Sequence, residues 1–306
     1  MRQAAAGSGL ARTVVGGSAG GLVVRVGARD GDRDGPHGDD VATVLLHGAA
    51  GSWTTWTPLL AAAAACGCPL RDTVAPDLPG WGESPGAMSG LGALADRVAA
   101  TLHALGYRRW RLIGHSLGGA LALEIAARFP DDTLSATLVS PSGATVQAVA
   151  RHPIEAAPRL PAFAGMILAM RILAALGPLR APLLHGMRRI GLLRVLAAPL
   201  FAHPARVDPA VTDALADEIR PASFLAAVDA AREVDIEGWR RIRCPVHVVR
   251  GRRDVFVGRD DAAALRAVVP HAHETVLATA GHFAHVEDPD AVLAVLSRLR
   301  TVSPVV

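Results

Sequence analysis

Apolar and polar positions along this chain follow two periods. Short runs rich in valine, leucine and isoleucine occur at 22–29 ("LVVRVGAR"), 41–48 ("VATVLLHG"), 110–115 ("WRLIGH"), 135–140 ("SATLVS"), 244–251 ("CPVHVVRG") and 274–280 ("ETVLATA"). Their length and β-branched content predict strands. Alanine- and leucine-rich stretches near 53–65, 90–105, 117–129, 260–268 and 287–299 repeat apolar residues at helical spacing. This alternation predicts an α/β fold with a mixed, mostly parallel central sheet and helices on both faces. No helix separates the first two runs, so they are expected to pair as an antiparallel edge. From 143 to 238 the strand pattern stops, and the chain reads as helical and punctuated by proline. That stretch is expected to be an insertion into a core formed by 1–142 and 239–306.

Composition narrows the possibilities. The chain has 306 residues and is 51% hydrophobic, enough for one large domain carrying an insertion. A pI of 9.2 suggests nucleic acid, but the net charge is only +3 and the chain has a single tyrosine. With no lysine and no asparagine, the arginine content reads as a genome-wide codon preference rather than a nucleic-acid footprint. Three cysteines, Cys66, Cys68 and Cys244, cannot all pair, which fits a reducing cytoplasm. Neither a signal peptide nor an apolar run of bilayer length is present. The acids Asp30, Asp32 and Asp34 before Gly35 begin like a calcium loop, but the twelfth position is Val41 and the match fails. Inside the insertion, 151–206 carries eight arginines against Glu155 alone, while 207–238 carries eight acids against Arg220 and Arg232. Either the two halves neutralise each other, or the first presents a basic surface to an anionic partner or substrate tail.

Candidate chemistry centres on Gly114-His115-Ser116-Leu117-Gly118, set between a predicted strand and a predicted helix. A serine on so sharp a turn needs small residues two before and two after it. The turn exposes Oγ and places the next amide at a helix N-terminus, where unpaired N–H groups attract negative charge. The pentapeptide alone is a weak signal in a glycine-rich chain, but three strand ends add to it. His282 follows the run 274–280 and can act as base, with His285 as a supporting residue. Asp254 follows the run 244–251 and can fix the imidazole tautomer. The turn after 41–47 offers Ala49 N–H, or failing that Ala50, to join Leu117 N–H in an oxyanion hole. His47, Gly48, His115, Phe163, Met166 and Met170 are candidate substrate contacts. The last three, with Ile167 and Leu168, form either a packed apolar face or an acyl pocket.

These blocks ("LLHGAAG", "APDLPGWGES", "GHSLGG", "GRRD" and "GHFAHVEDP", in this order) resemble the α/β-hydrolase superfamily over most of 22–142 and 239–300. The resemblance implies a helical lid at 143–238, with Ser116 as nucleophile, His282 as proton shuttle and Asp254 as its orienting acid. It implies no metal and no organic cofactor. Epoxide hydrolases and haloalkane dehalogenases place an aspartate where this chain has Ser116, so those activities are not expected. Carbon–carbon bond hydrolases typically follow the histidine with a tryptophan, which is absent here.

The expected activity is hydrolysis of a carboxylic ester of a hydrophobic small molecule. The alternative is a thioesterase or lactonase in a biosynthetic pathway, with the arginine-rich 151–206 region available to dock an acidic carrier protein or coenzyme A. Further options on the same fold are a carbon–carbon bond hydrolase, a lyase and a binding protein without turnover.

Overall fold

The computed structural model describes residues 9–16, 21–28 and 40–301. The calcium-like segment at 30–35 lies outside the described residues. In chain order the regular elements begin with β1 (Ala11–Val15), β2 (Leu22–Val26), β3 (Val41–Leu46), α1 (Thr57–Ala65), β4 (Thr73–Pro76), α2 (Leu91–Ala104), β5 (Arg109–His115), α3 (Leu117–Arg128) and β6 (Thr133–Val139). A helical stretch follows: α4 (Ala144–Arg151), α5 (Pro161–Ala175), α6 (Arg180–Arg189), α7 (Leu192–Ala197), α8 (Pro209–Asp217) and α9 (Pro221–Arg232). The chain ends with β7 (Val246–Gly251), α10 (Arg259–Val268), β8 (His273–Leu277), α11 (Ala284–Glu287) and α12 (Pro289–Thr301).

The eight strands form one sheet in the order β1-β2-β4-β3-β5-β6-β7-β8. Pairing is parallel from β4 through β8 and antiparallel for β1–β2 and β2–β4. Two features depart from the reading of the sequence. The runs at 22–29 and 41–48 do not pair with each other, because β4 lies between them. β4 is only four residues long and ends at Pro76, so it lacks an extended apolar run. β1 closes the antiparallel edge; its burial alternates weakly, as on an edge strand with little core to face.

Period-two alternation divides the strands between two apolar layers. On β3, Val44 and Leu46 join the layer beneath α2 and α3, while Leu45 joins the opposite layer with Trp56, Val292 and Val295. β5 does the same with Leu112 and Ile113, β6 with Leu138 and Val139, and β7 with Val248 and Val249. A third layer, including Val149, Phe163, Ile167, Phe224 and Val228, packs the helices between β6 and β7 against Phe256 and Val257 of the core. Arg188 and Arg194 cross to Asp217 and Asp213, so the basic and acidic halves of the insertion partly neutralise each other.

Candidate active site

Ser116 sits between β5 and α3 with φ 51° and ψ −116°, a conformation rare for a residue with a side chain. Its neighbours explain why it is tolerated. A Cβ on Gly114 would overlap the Gly118 carbonyl, and one on Gly118 would overlap the Leu46 carbonyl. Glycine at both places lets the turn close and lets α3 press onto the sheet. The Ser116 carbonyl accepts from the amides of Gly119, Ala120 and Ser142, which ties the turn to the loop after β6.

The three strand-end candidates reach the same edge of the sheet. β5, β6, β7 and β8 are parallel neighbours, so their carboxyl ends align. His282 Nδ1 donates to Asp254, 3.0 Å from Oδ1 and 3.2 Å from Oδ2. The Asp254 side chain is wholly buried and His282 is 3% exposed. Burial resists ionisation of Asp254, but the His282 charge and hydrogen bond, with the Phe256 amide, outweigh it and hold the carboxyl below its ordinary range. Oδ1 also accepts from the amides of Phe256 (2.8 Å) and Val257 (3.1 Å). The Phe256 ring meets the His282 ring edge-on at 4.8 Å and shields it from water.

Ser116 Oγ lies 3.5 Å from Ser142 Oγ, and no hydrogen bond joins it to His282. Ser116 and His282 nevertheless line one cavity of about 660 Å³, together with Ala49, Ala50, Leu117 and Ser142. The rest of its wall is mainly apolar and comes largely from the helical insertion, including Phe163, Met166 and Met170. His115 also reaches this wall.

His47 and Gly48 differ from the expectation: neither lines the cavity. His47 is fully buried. Its Nε2 accepts from Leu78 N–H at 2.8 Å, which assigns the proton to Nδ1 and makes that atom the donor to the Gly48 carbonyl, also 2.8 Å away. Burial holds His47 below the usual histidine range, so the neutral ring this requires is the stable form. Its role is to brace the turn. A Cβ on Gly48 would sit 2.8 Å from His115 Nδ1 and 3.0 Å from Ser116 Cβ, so this glycine lets the turn lie against the serine. Ala50 in the same turn has φ 55°.

Behind His282, the rings of His115 and His285 meet at 4.6 Å between centroids with their planes tilted by 50°, and both are buried. Burial, together with the nearby histidines, drives the His285 pKa down to about 3 and that of His115 well below normal. Both are therefore neutral at any pH near 7. His115 Nε2 donates to the His282 carbonyl at 3.1 Å.

Two functional neighbours were not identified from the sequence. Ser142 follows β6, and its position at a carboxyl strand end was the available signal. Glu287 clamps the histidine loop: its carboxylate accepts from Gly281 N–H (2.6 Å) and from Ala202 N–H (2.7 Å) and His203 N–H (3.0 Å) of the insertion. No local pattern marks that contact.

A mixed, mostly parallel sheet carries a strained serine turn and a buried histidine–aspartate pair at its carboxyl edge, the arrangement of the α/β-hydrolase class. A family model described as the alpha/beta hydrolase family matches residues 43–295, and the chain belongs to that family. The chain is 27% identical over 259 residues to a protein of Enterobacter cloacae named as carbamate hydrolase RutD, covering 81% of this chain and 86% of that one. The RutD protein of Escherichia coli O7:K1 is 26% identical over 275 residues, 85% of this chain and 91% of that one. Among solved structures, an esterase from Thermogutta terrifontis aligns with TM-score 0.66 and 19% identity, over 95% of this chain and 98% of that one. The 2-hydroxy-6-oxo-6-phenylhexa-2,4-dienoate hydrolase of Rhodococcus sp. strain RHA1 aligns with TM-score 0.65 and 19% identity, over 96% and 99%. At such identity these structures speak for the fold.

Proposed function

We propose that the protein is a serine hydrolase that cleaves carboxylic esters with a large apolar group, through an acyl-enzyme, beneath a lid formed by the insertion at 143–238. The observation that carries this reading is the cavity: about 660 Å³, mainly apolar, with Ser116 and His282 in its wall. A hydrophobic acyl chain gains roughly 0.8 kcal/mol for each methylene buried there.

In this mechanism Ser116 Oγ turns from Ser142 toward His282 as substrate enters. The imidazole, held in the right tautomer by Asp254, takes the hydroxyl proton while Oγ bonds to the acyl carbon. The amides of Leu117 and Ala49 hold the oxyanion. As the intermediate collapses, protonated His282 passes its proton to the departing alcohol. Water then attacks the acyl-enzyme by the same route in reverse, releasing the acid and restoring Ser116.

Carbamate hydrolysis is the second reading, favoured by similarity to the RutD proteins over more than four-fifths of the chain. The same serine chemistry serves both bonds. The size and apolar wall of the cavity favour the ester.

A fluorophosphonate probe should label the wild-type chain and leave Ser116→Ala unlabelled. A panel of p-nitrophenyl esters and matched carbamates should show kcat/KM rising from acetate to acyl chains of about eight or more carbons. A folded protein that takes up no probe would refute the serine mechanism. Best turnover on acetate, or on a small carbamate, would refute the substrate assignment.

A further inference from the structure

We propose that the outer face of α5, α6 and α7 docks on an anionic lipid bilayer, and that the active-site cavity receives its substrate from that bilayer.

Exposed apolar side chains are concentrated on this face. Among the described residues, every exposed large hydrophobic side chain except Val14, Ile154 and Val276 lies between 168 and 196. α6 buries none of its residues. On α5, Leu168 and Ile172 stand one helical turn apart on the exposed side, while Phe163, Ile167 and Met170 face inward. Ile190 is 77% exposed and Val195 66%. A water-soluble surface seldom collects so much apolar side chain in one stretch without something to cover it.

Charge identifies the cover. From 161 to 200 the chain contains five arginines and no acidic residue. Arg188 and Arg194 are held by Asp217 and Asp213 of α8. Arg171, Arg180 and Arg189 have no ion-pair partner among the described residues and lie interspersed with the exposed leucines and isoleucines. Apolar side chains mixed with unpaired arginines are the pattern of a helix lying in a lipid interface: the apolar groups enter the acyl boundary and the guanidinium groups reach anionic headgroups. No single helix among the described residues is long and apolar enough to cross a membrane; Pro161–Ala175 and Gly177–Arg189 reach that length and apolarity only as a pair, bent by 114°.

Continuity with the cavity ties the surface to the site. Ile172, Leu183 and Leu196 are exposed and also line the cavity that holds Ser116. An apolar path therefore runs from the proposed bilayer face to the serine, and an ester with a long acyl chain need not cross water to reach it. A second copy of the chain would cover the apolar groups but would set like charges against each other.

Docking itself does not depend on the ester reading, whereas substrate delivery does. Binding is therefore measured with the full-length Ser116→Ala protein by flotation. The probes are vesicles of pure phosphatidylcholine and vesicles with 30% phosphatidylglycerol. Three free arginines, at about fivefold each, predict partitioning on the order of a hundredfold stronger to the anionic vesicles, falling as salt rises. The double variants Ile190→Asp/Val195→Asp and Arg171→Glu/Arg189→Glu, which do not touch the cavity wall, should each lose this binding. In the Ser116 background they should keep their turnover of a soluble short-chain ester and lose turnover of a vesicle-borne one. Absence of binding to either vesicle, equal binding to both, or retention by the double variants would overturn the proposal. So would a dimer in light scattering that dissociates in the Ile190→Asp/Val195→Asp variant while vesicles remain unbound.

Discussion

The sheet and the helical insertion solve different physical problems. All six residues of β3 are buried, as are ten of the twelve residues of α3. α6 buries none, and α5 only three. The contrast extends to glycine. On α3, Gly118 has no room for a methyl group because the Leu46 backbone occupies it; on α6, Gly186 faces open space. The core must hold a serine turn, an imidazole and a carboxylate in register, so its packing leaves no slack. The insertion has only to surround an apolar volume, a task that many sequences can meet. On the proposed reading, chemistry belongs to the closely packed region and selectivity to the less buried one.

The most severe way to break this division is at the nucleophile. Ser116→Ala should lower kcat by about 10⁵-fold or more without changing the melting temperature, read from pre-steady-state turnover and thermal unfolding. Asp254→Asn should follow, with a loss of about 10⁴-fold, because the amide offers an N–H where the imidazole needs an acceptor and the tautomer reverses. A loss below tenfold would remove Asp254 from the relay. Gly118→Ala should cost about 3 kcal/mol of stability, since the added methyl meets backbone that cannot move cheaply; denaturant titration measures it.

The insertion should respond in another currency. Met170→Trp fills the apolar cavity and should shift the preferred acyl chain shorter, with kcat/KM for long chains falling about tenfold and that for acetate unchanged. An equal fall for every chain length would mean that Met170 supports the site rather than the substrate. Gly186→Ala should raise stability by about 0.5–1 kcal/mol, the ordinary gain from removing a helix-interior glycine where nothing obstructs the methyl. If Gly186→Ala proved as damaging as Gly118→Ala, the comparison between the two regions would fail.

Much of the fold was legible because its signals are local. The runs around Val44, Ile113, Leu138 and Val249 are apolar, β-branched and mostly buried, so pattern alone located them. β1 and β4 were not legible. "ARTVV" is a half-exposed edge strand, and "TVAP" is too short for periodicity to register. Missing β4 also produced the mistaken pairing of the first two runs, since strand order is a matter of long-range hydrogen bonding. The candidate site divides in the same way. Ser116, Asp254 and His282 could be proposed because each follows a recognisable strand. His47 was read as a substrate contact because it stands beside the right turn, yet its hydrogen bond to Leu78 makes it a brace. Glu287 could not be found, because its partners at 202 and 203 lie some eighty positions away.

The order of residues along the chain, then, determined the α/β alternation, the sharp serine turn and the helical nature of the stretch after β6, all of which follow from neighbours within a few positions. Only the tertiary structure decided the strand order, the burial that keeps His115 and His285 neutral, and the joining of an apolar cavity to an exposed arginine-bearing face. Those properties depend on which distant surfaces exclude water from one another, and no local pattern of residues encodes that.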